Sequence, residues 1–166
     1  MKLETLHDLY IEELKDLHSA ESQMAEALPK MAKAATRPEL CEAFNEHLAE
    51  TQVHIDRLEC ILKDLETKPN GHKCKGMEGL LTESKHFMKQ DGDPSVIDAG
   101  LIAQAQRVEH YEMAGYGCAR TYARLLGFNE AADQLQTTLE EEGASDKRLT
   151  ELAETVINLE AAEATA

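Results

Sequence analysis

Tryptophan is absent from this chain, which carries only three Phe and four Tyr. β-Branched residues are sparse as well, and no segment shows the alternation of a half-buried strand, so a sheet-based fold is excluded. With only four Pro, the sequence leaves long stretches in which nothing interrupts a helix. No apolar run approaches the roughly 20 residues of a membrane span. The amino terminus lacks the basic and apolar regions of a secretory signal, and a cytoplasmic location is expected.

Basic residues are also scarce. Seventeen Lys and Arg face 32 Asp and Glu, a formal charge of −15. That balance argues against binding nucleic acid or an anionic membrane, both of which need Lys/Arg patches, and suits a protein that attracts cations. Cys41, Cys60, Cys74 and Cys118 form no C-x-x-C pair, and a helical chain of this length is stable without disulfides, so reduced thiols are expected. Cys60, His72 and Cys74 match no standard zinc spacing.

What the sequence does contain is Ala, Leu, Glu, Lys and Gln in abundance, the composition of an all-α protein. Its 166 residues fit one domain, large enough to bury about 70% of the surface exposed by the unfolded chain. A first helix is expected from about Leu3 to Ala35, closed by Thr36-Arg37-Pro38, because the residue before Pro avoids the helical region. A second runs from about Glu39 to Glu66. Pro69, Asn70 and Gly71 then mark a loop between Thr67 and Lys75.

A shorter helix, Met77 to Gln90, precedes a break at Asp91-Gly92-Asp93-Pro94-Ser95, where Pro94 can open the next helix behind an Asp cap. The third long helix extends to about Leu126, Gly127-Phe128-Asn129 makes a tight turn, and the fourth spans about Glu130 to Leu159. Two helix pairs joined by a connection of nearly thirty residues have the connectivity of a four-helix bundle with one crossover, here carrying an additional short helix. Residues 1–160 are expected to form a single domain and 161–166 a frayed tail.

Acids occupy the centres of the apolar stripes. Glu21 lies between Leu14 and Leu28 on the first helix, Glu112 among Val108, Tyr116 and Ala119 on the third long helix, and Glu142 and Asp146 one turn apart within the Leu135-Leu139-Leu149-Ala153 stripe. Glu109 sits about 60° to one side of that third-helix stripe. On the second helix, Phe44, Leu48, Ile55, Leu58, Leu62 and Leu65 define the core stripe, flanked by His47, Glu50 and His54. An unpaired buried carboxylate is costly, so several converging from four helices call for a cation. Glu21, Glu50, Glu112 and Glu142 are expected to meet at one level. Tyr111 and Tyr116 lie beside them as hydrogen-bond donors or core, whereas His110 projects away.

The halves echo each other. His47-Leu48-Ala49-Glu50 with Arg57-Leu58 and Thr138-Leu139-Glu140-Glu141 with Arg148-Leu149 share one spacing, which hints at an internal duplication.

These residues resemble the ferritin-like superfamily, in which two helices each give a Glu and two others a Glu with a nearby His. More closely, the chain resembles the YciE/YciF-type bacterial stress proteins, through Asp16-Leu17-His18-Ser19-Ala20-Glu21, Ala27-Leu28-Pro29-Lys30-Met31, His47-Leu48-Ala49-Glu50-Thr51, Met77-Glu78-Gly79-Leu80, Val108-Glu109-His110-Tyr111-Glu112 with Ala114-Gly115-Tyr116-Gly117, and Leu139-Glu140-Glu141-Glu142 with Asp146. The resemblance implies a ferritin-like bundle, a homodimer, and a site for two divalent metal ions, iron or manganese. The chain departs from the superfamily pattern where Val53 replaces a Glu-x-x-His histidine, leaving His54, and where Asp146 stands at a frequent histidine position. Glu21, Glu50, His54, Glu109, Glu112, Glu142 and Asp146 are the expected metal ligands.

Two functions compete at this point. One is a di-metal protein that oxidises ferrous iron or reduces peroxide, with a small oxidant as its partner. The other is a non-enzymatic helical homodimer, its site vestigial or filled by a structural cation, acting through a protein partner. Outward apolar residues such as Leu80, Leu81, Phe87 and Met88 offer a dimer face, unless the short helix folds them onto the bundle.

Overall fold

The computed structural model describes residues 3–69 and 72–164. Among them there is no strand. The helices are α1 (Leu6–Ala34), α2 (Pro38–Asp64), α3 (Lys75–Phe87), α4 (Pro94–Leu126) and α5 (Asn129–Leu152), the last prolonged through a single π turn (Ala153–Ile157) into the short α6 (Asn158–Glu163). The expected loop residues Asn70 and Gly71, and the last two residues of the expected tail, lie outside the described residues. The expected tail is helical as far as Glu163.

Local chemistry sets the boundaries. Thr5 accepts from the Asp8 amide while the Asp8 carboxylate accepts from the Thr5 amide, a reciprocal cap that starts α1. Pro38 and Pro94 open α2 and α4, where a missing N–H costs nothing. Pro29, inside α1, stands on its exposed side, and the helix runs on to Ala34. Gly127, at φ +84°, closes α4 in the left-handed conformation, with the Phe128 amide reaching back to the Ala123 carbonyl at 2.9 Å.

α1 packs along α2, and α4 along α5; contacts of α1 with α4 and of α2 with α5 close the bundle. Asp98, buried on α4, accepts from the Thr36 amide (2.9 Å), the Arg37 amide (2.8 Å) and the Thr36 hydroxyl (2.8 Å), tying the α1–α2 turn to the start of α4. α3 lies over α4 and α1. Leu80, Leu81, Phe87 and Met88 of the short helix and its end are partly buried against the bundle core. Gly100 permits this, since a Cβ there would overlap the Phe87 ring.

The core falls into two apolar clusters. One contains Met24, Leu28, Met31, Phe44, Met77, Leu101, Val108 and Leu149, and the other Tyr10, Leu14, Leu17, Leu58, Leu62, Tyr116 and Leu135. Between them, along each long helix, comes a buried polar layer: Glu21 on α1, His47, Thr51 and His54 on α2, Glu109 and Glu112 on α4, Thr138 and Glu142 on α5. Four carboxylates amid apolar packing destabilise the fold unless something compensates their charge.

Candidate metal centre

The inward row of α2 differs from the expected stripe. Leu40, Phe44, His47, Thr51, His54, Leu58 and Ile61 are buried, whereas Leu48 and Ile55 are half-buried. His47 and His54 therefore point into the bundle, two turns apart, with Thr51 between them. Glu50 does not converge with the other acids. It lies about 100° round the helix from Thr51, its side chain is 50% exposed, and its carboxylate faces the outer side of His47 at 3.6 Å from Nδ1.

Six buried side chains form two groups that share one member. His47, Glu109, Glu112 and Glu142 bring ligand atoms within 4.8 Å of one another, as do Glu21, His54 and Glu142. Glu142 spans both. Its Oε1 is 3.0 Å from His54 Nδ1, which is also 3.3 Å from Glu21 Oε1; its Oε2 is 3.8 Å from His47 Nε2, which is 3.3 Å from Glu109 Oε1.

Few of these approaches are hydrogen bonds. Both oxygens of Glu112 and of Glu142, Oε2 of Glu21 and of Glu109, both nitrogens of His47, Nδ1 of His54 and the Thr51 hydroxyl have no hydrogen-bond partner among the described residues. Buried polar groups are normally paired. Here ligand atoms converge on common points with few hydrogen bonds made between them, the arrangement of a site for a cation.

The groups around the cluster fix its orientation. The Glu141 carboxylate, half-buried at the α2–α5 seam, accepts from Arg57 (Nη2 at 3.1 Å) and contacts His54 Nε2 at 3.1 Å. Arg57 also donates to the Thr138 hydroxyl at 3.1 Å. The Tyr116 hydroxyl donates to Glu21 Oε1. With Nε2–H committed to Glu141, His54 presents Nδ1 to Glu21 and Glu142, the way an outer carboxylate orients a ligand imidazole. Hydropathy patterning missed Glu141 and Arg57, although the shared spacing of the two halves places both in the echo.

Electrostatics follow from this geometry. Burial, then the charges of Glu21, Glu142 and Glu109, pushes Glu112 well above the ordinary carboxylate range; burial and the charge of Glu142 do the same to Glu109. Glu21 is raised by burial, against the opposing contact with His54. Burial alone would lower His54, but contacts with Glu142 and Glu21 hold it up at about 10. Although burial opposes it, the contact with His54 and the charge of His47 keep Glu142 below the ordinary range. Without a cation, burial and mutual repulsion thus favour the protonated forms of Glu109 and Glu112, and the acids around His54 favour its charged form.

The remaining expected ligands lie elsewhere. Asp146, one turn beyond Glu142, turns toward α4, accepting from Gln106 Nε2 at 3.0 Å and facing the exposed His110 at 3.3 Å. Four residues advance a helix by about 400°, so Asp146 sits about 40° past Glu142. The four cysteines are free, and no helix among the described residues is long and apolar enough to cross a membrane.

Comparison with known proteins agrees with this architecture. Residues 5–162 match the model of a domain of unknown function, DUF892. The chain is 42% identical over 162 residues to protein YciF of Escherichia coli strain K12, covering 97% of this chain and 98% of YciF. The crystal structure of that stress protein superposes with a TM-score of 0.90, over 94% of this chain and 99% of its own. YcfI of Rhodopseudomonas palustris superposes with a TM-score of 0.86 at 39% identity, over 90% of this chain and 95% of its own. A Xanthomonas campestris protein at 20% identity, with a TM-score of 0.76, shares the fold. With its ferritin-like bundle and its match along nearly the whole sequence, the chain belongs to the DUF892 family of YciF-type stress proteins.

Proposed function

We propose that the buried layer holds two divalent metal ions, iron or manganese, and that the protein uses them to oxidise ferrous iron or reduce peroxide. The observation that carries this reading is Glu142, whose two oxygens each face a different group of unpartnered ligands. His47, Glu109 and Glu112 would hold one ion, Glu21 and His54 the other, and Glu142 would serve both. Four carboxylates bring four negative charges, which two divalent ions balance. A mixed carboxylate and imidazole set suits iron or manganese better than a thiolate-seeking metal. When bound, such a pair supplies redox chemistry toward oxygen or peroxide.

The chain's own residues prepare the site. Arg57 and Glu141 hold His54 in one orientation, and Tyr116 fixes Glu21 by donating to one oxygen while the other remains without a partner. The proton that His54 and the acids retain in the absence of metal leaves as the cations enter, so charge in the low-dielectric layer stays near balance. The apolar clusters above and below bound the layer at its two ends.

Metal analysis of protein purified without added metal, followed by anaerobic ferrous titration, tests the reading. Two ions per chain, then consumption of oxygen or peroxide, are expected. Absence of binding by ferrous iron and manganese alike would leave the layer as protonated structural acids and favour a non-enzymatic role.

A further inference from the structure

The two histidines of α2 have unequal outer surroundings. At His54 the seam between α2 and α5 is closed, because Glu141 bonds Nε2 and is itself held by Arg57. At His47 the corresponding position is open. A cavity of about 110 Å³ enters between α2 and α5, lined by Phe44, Glu46, His47, Glu50, Glu109 and Arg148 among others. His47 is 4% exposed and Glu109 1%, so the cavity runs from the surface to two members of the buried cluster.

The wall chemistry is specific. Both His47 nitrogens lack hydrogen-bond partners, one turned toward Glu109 and the other toward Glu50. A volume near 110 Å³ accommodates about three waters at roughly 30 Å³ each. That is room for a cation with part of its hydration shell, and too little for an organic substrate. The mouth carries Glu46 and Glu50, and the Arg148 guanidinium, in an exposed pair with Glu46, stands beside it. Exposed pairs contribute about 0–1 kcal/mol, so this one opens readily.

We propose that divalent cations reach the buried cluster through this opening, with Glu50 taking the cation at the mouth and passing it inward to His47 and Glu109, while Arg148 restricts passage. The inference rests on the metal-holding reading above. It assigns Glu50 a place on the route, outside the bound set, and it explains why a carboxylate faces the outer nitrogen of a buried histidine without bonding to it. The strongly acidic chain concentrates cations at its surface, and the opening provides their way in.

Stopped-flow mixing of the metal-free protein with cobalt(II), followed by absorbance, tests this route at low ionic strength. Glu50→Gln is expected to slow association about tenfold and dissociation by a similar factor, since a residue on the path changes both directions while leaving the dissociation constant nearly constant. Arg148→Ala should speed association. Ala144→Phe, which narrows the cavity wall without a change of charge, should slow it, and circular dichroism melts check that each variant folds. Wild-type rates in both Glu50→Gln and Ala144→Phe would overturn the route. A raised dissociation constant in Glu50→Gln with unchanged association would make Glu50 a ligand and also overturn it. Failure of the wild type to bind cobalt(II) at all would defeat the metal reading and the route with it, whereas binding at unaltered rates defeats the route alone.

Discussion

Glu112→Gln keeps the shape of a fully buried side chain and removes its charge. Glu112 ionises in the unfolded chain with a pKa near 4.5, and in the folded protein well above that. Between those two values the native state binds more protons than the unfolded state, so stability falls as pH rises, by about 1.4 kcal/mol per pH unit, and levels off beyond the folded pKa. The penalty is absent below pH 4.5 and is capped at about 3 kcal/mol at pH 7. Metal-free Glu112→Gln should therefore melt higher than wild type at pH 7, by up to about 6–12 °C at 2–4 °C per kcal/mol, with the difference fading toward pH 4.5. Metal has the opposite effect. At a hundredfold excess over the dissociation constant, a bound cation stabilises wild type by about 2.7 kcal/mol, and a tenfold loss of affinity in the variant cuts that gain to about 1.4 kcal/mol. Differential scanning calorimetry in chelator and in manganese, at pH 5 and pH 7, reads both effects. Equal metal shifts in the two proteins, or a variant no more stable than wild type at pH 7 without metal, would refute the reasoning.

Metal binding should release roughly one to three protons per chain at pH 7, because the raised values of Glu109, Glu112 and His54 keep protons in the free site; calorimetric titration in buffers of different ionisation enthalpy measures the number, and buffer-independent heats would count against it. Glu141→Gln should weaken metal binding about ten- to hundredfold by loosening the hold on His54; an unchanged dissociation constant by equilibrium dialysis would show that His54 needs no such support. Gly100→Ala should destabilise the fold by about 1–3 kcal/mol, since its Cβ must displace Phe87 and the end of α3; urea unfolding checks this, and an unshifted midpoint would mean that α3 moves freely.

Hydrophobic periodicity located the bundle and much of the polar layer, and it failed where polar residues formed the inward face. Glu21, Glu112 and Glu142 interrupt runs of Leu, Met and Ala, so their orientation follows from neighbours one turn away. On α2 the inward centre is itself polar, His47, Thr51 and His54, and Leu48 and Ile55 drew the apparent stripe round the helix, bringing Glu50 in and leaving His47 at the edge. Asp146 shares the stripe of Glu142, but Gln106 on the facing helix supplies a donor that turns it aside. No single-helix pattern contains that partner. Arg57 and Glu141 illustrate the same point, since their pairing spans α2 and α5 and depends on how those helices face each other.

The single π turn at Ala153–Ile157 bears on how this chain tolerates changes in length. A π turn holds a surplus residue within an otherwise α-helical run, so a deletion there can be absorbed by reversion to ordinary winding, and Leu149 upstream and the start of α6 downstream keep their facing. A deletion between Leu135 and Glu142 has no such slack. It would rotate one part of α5 against the other by about 100°, separating Glu142 from the packing of Leu135 and turning either the acid or the leucine toward solvent. The end of the last long helix is thus where this chain can lose a residue without turning its neighbours, while the stretch bearing the acid that joins the two groups is confined to substitution.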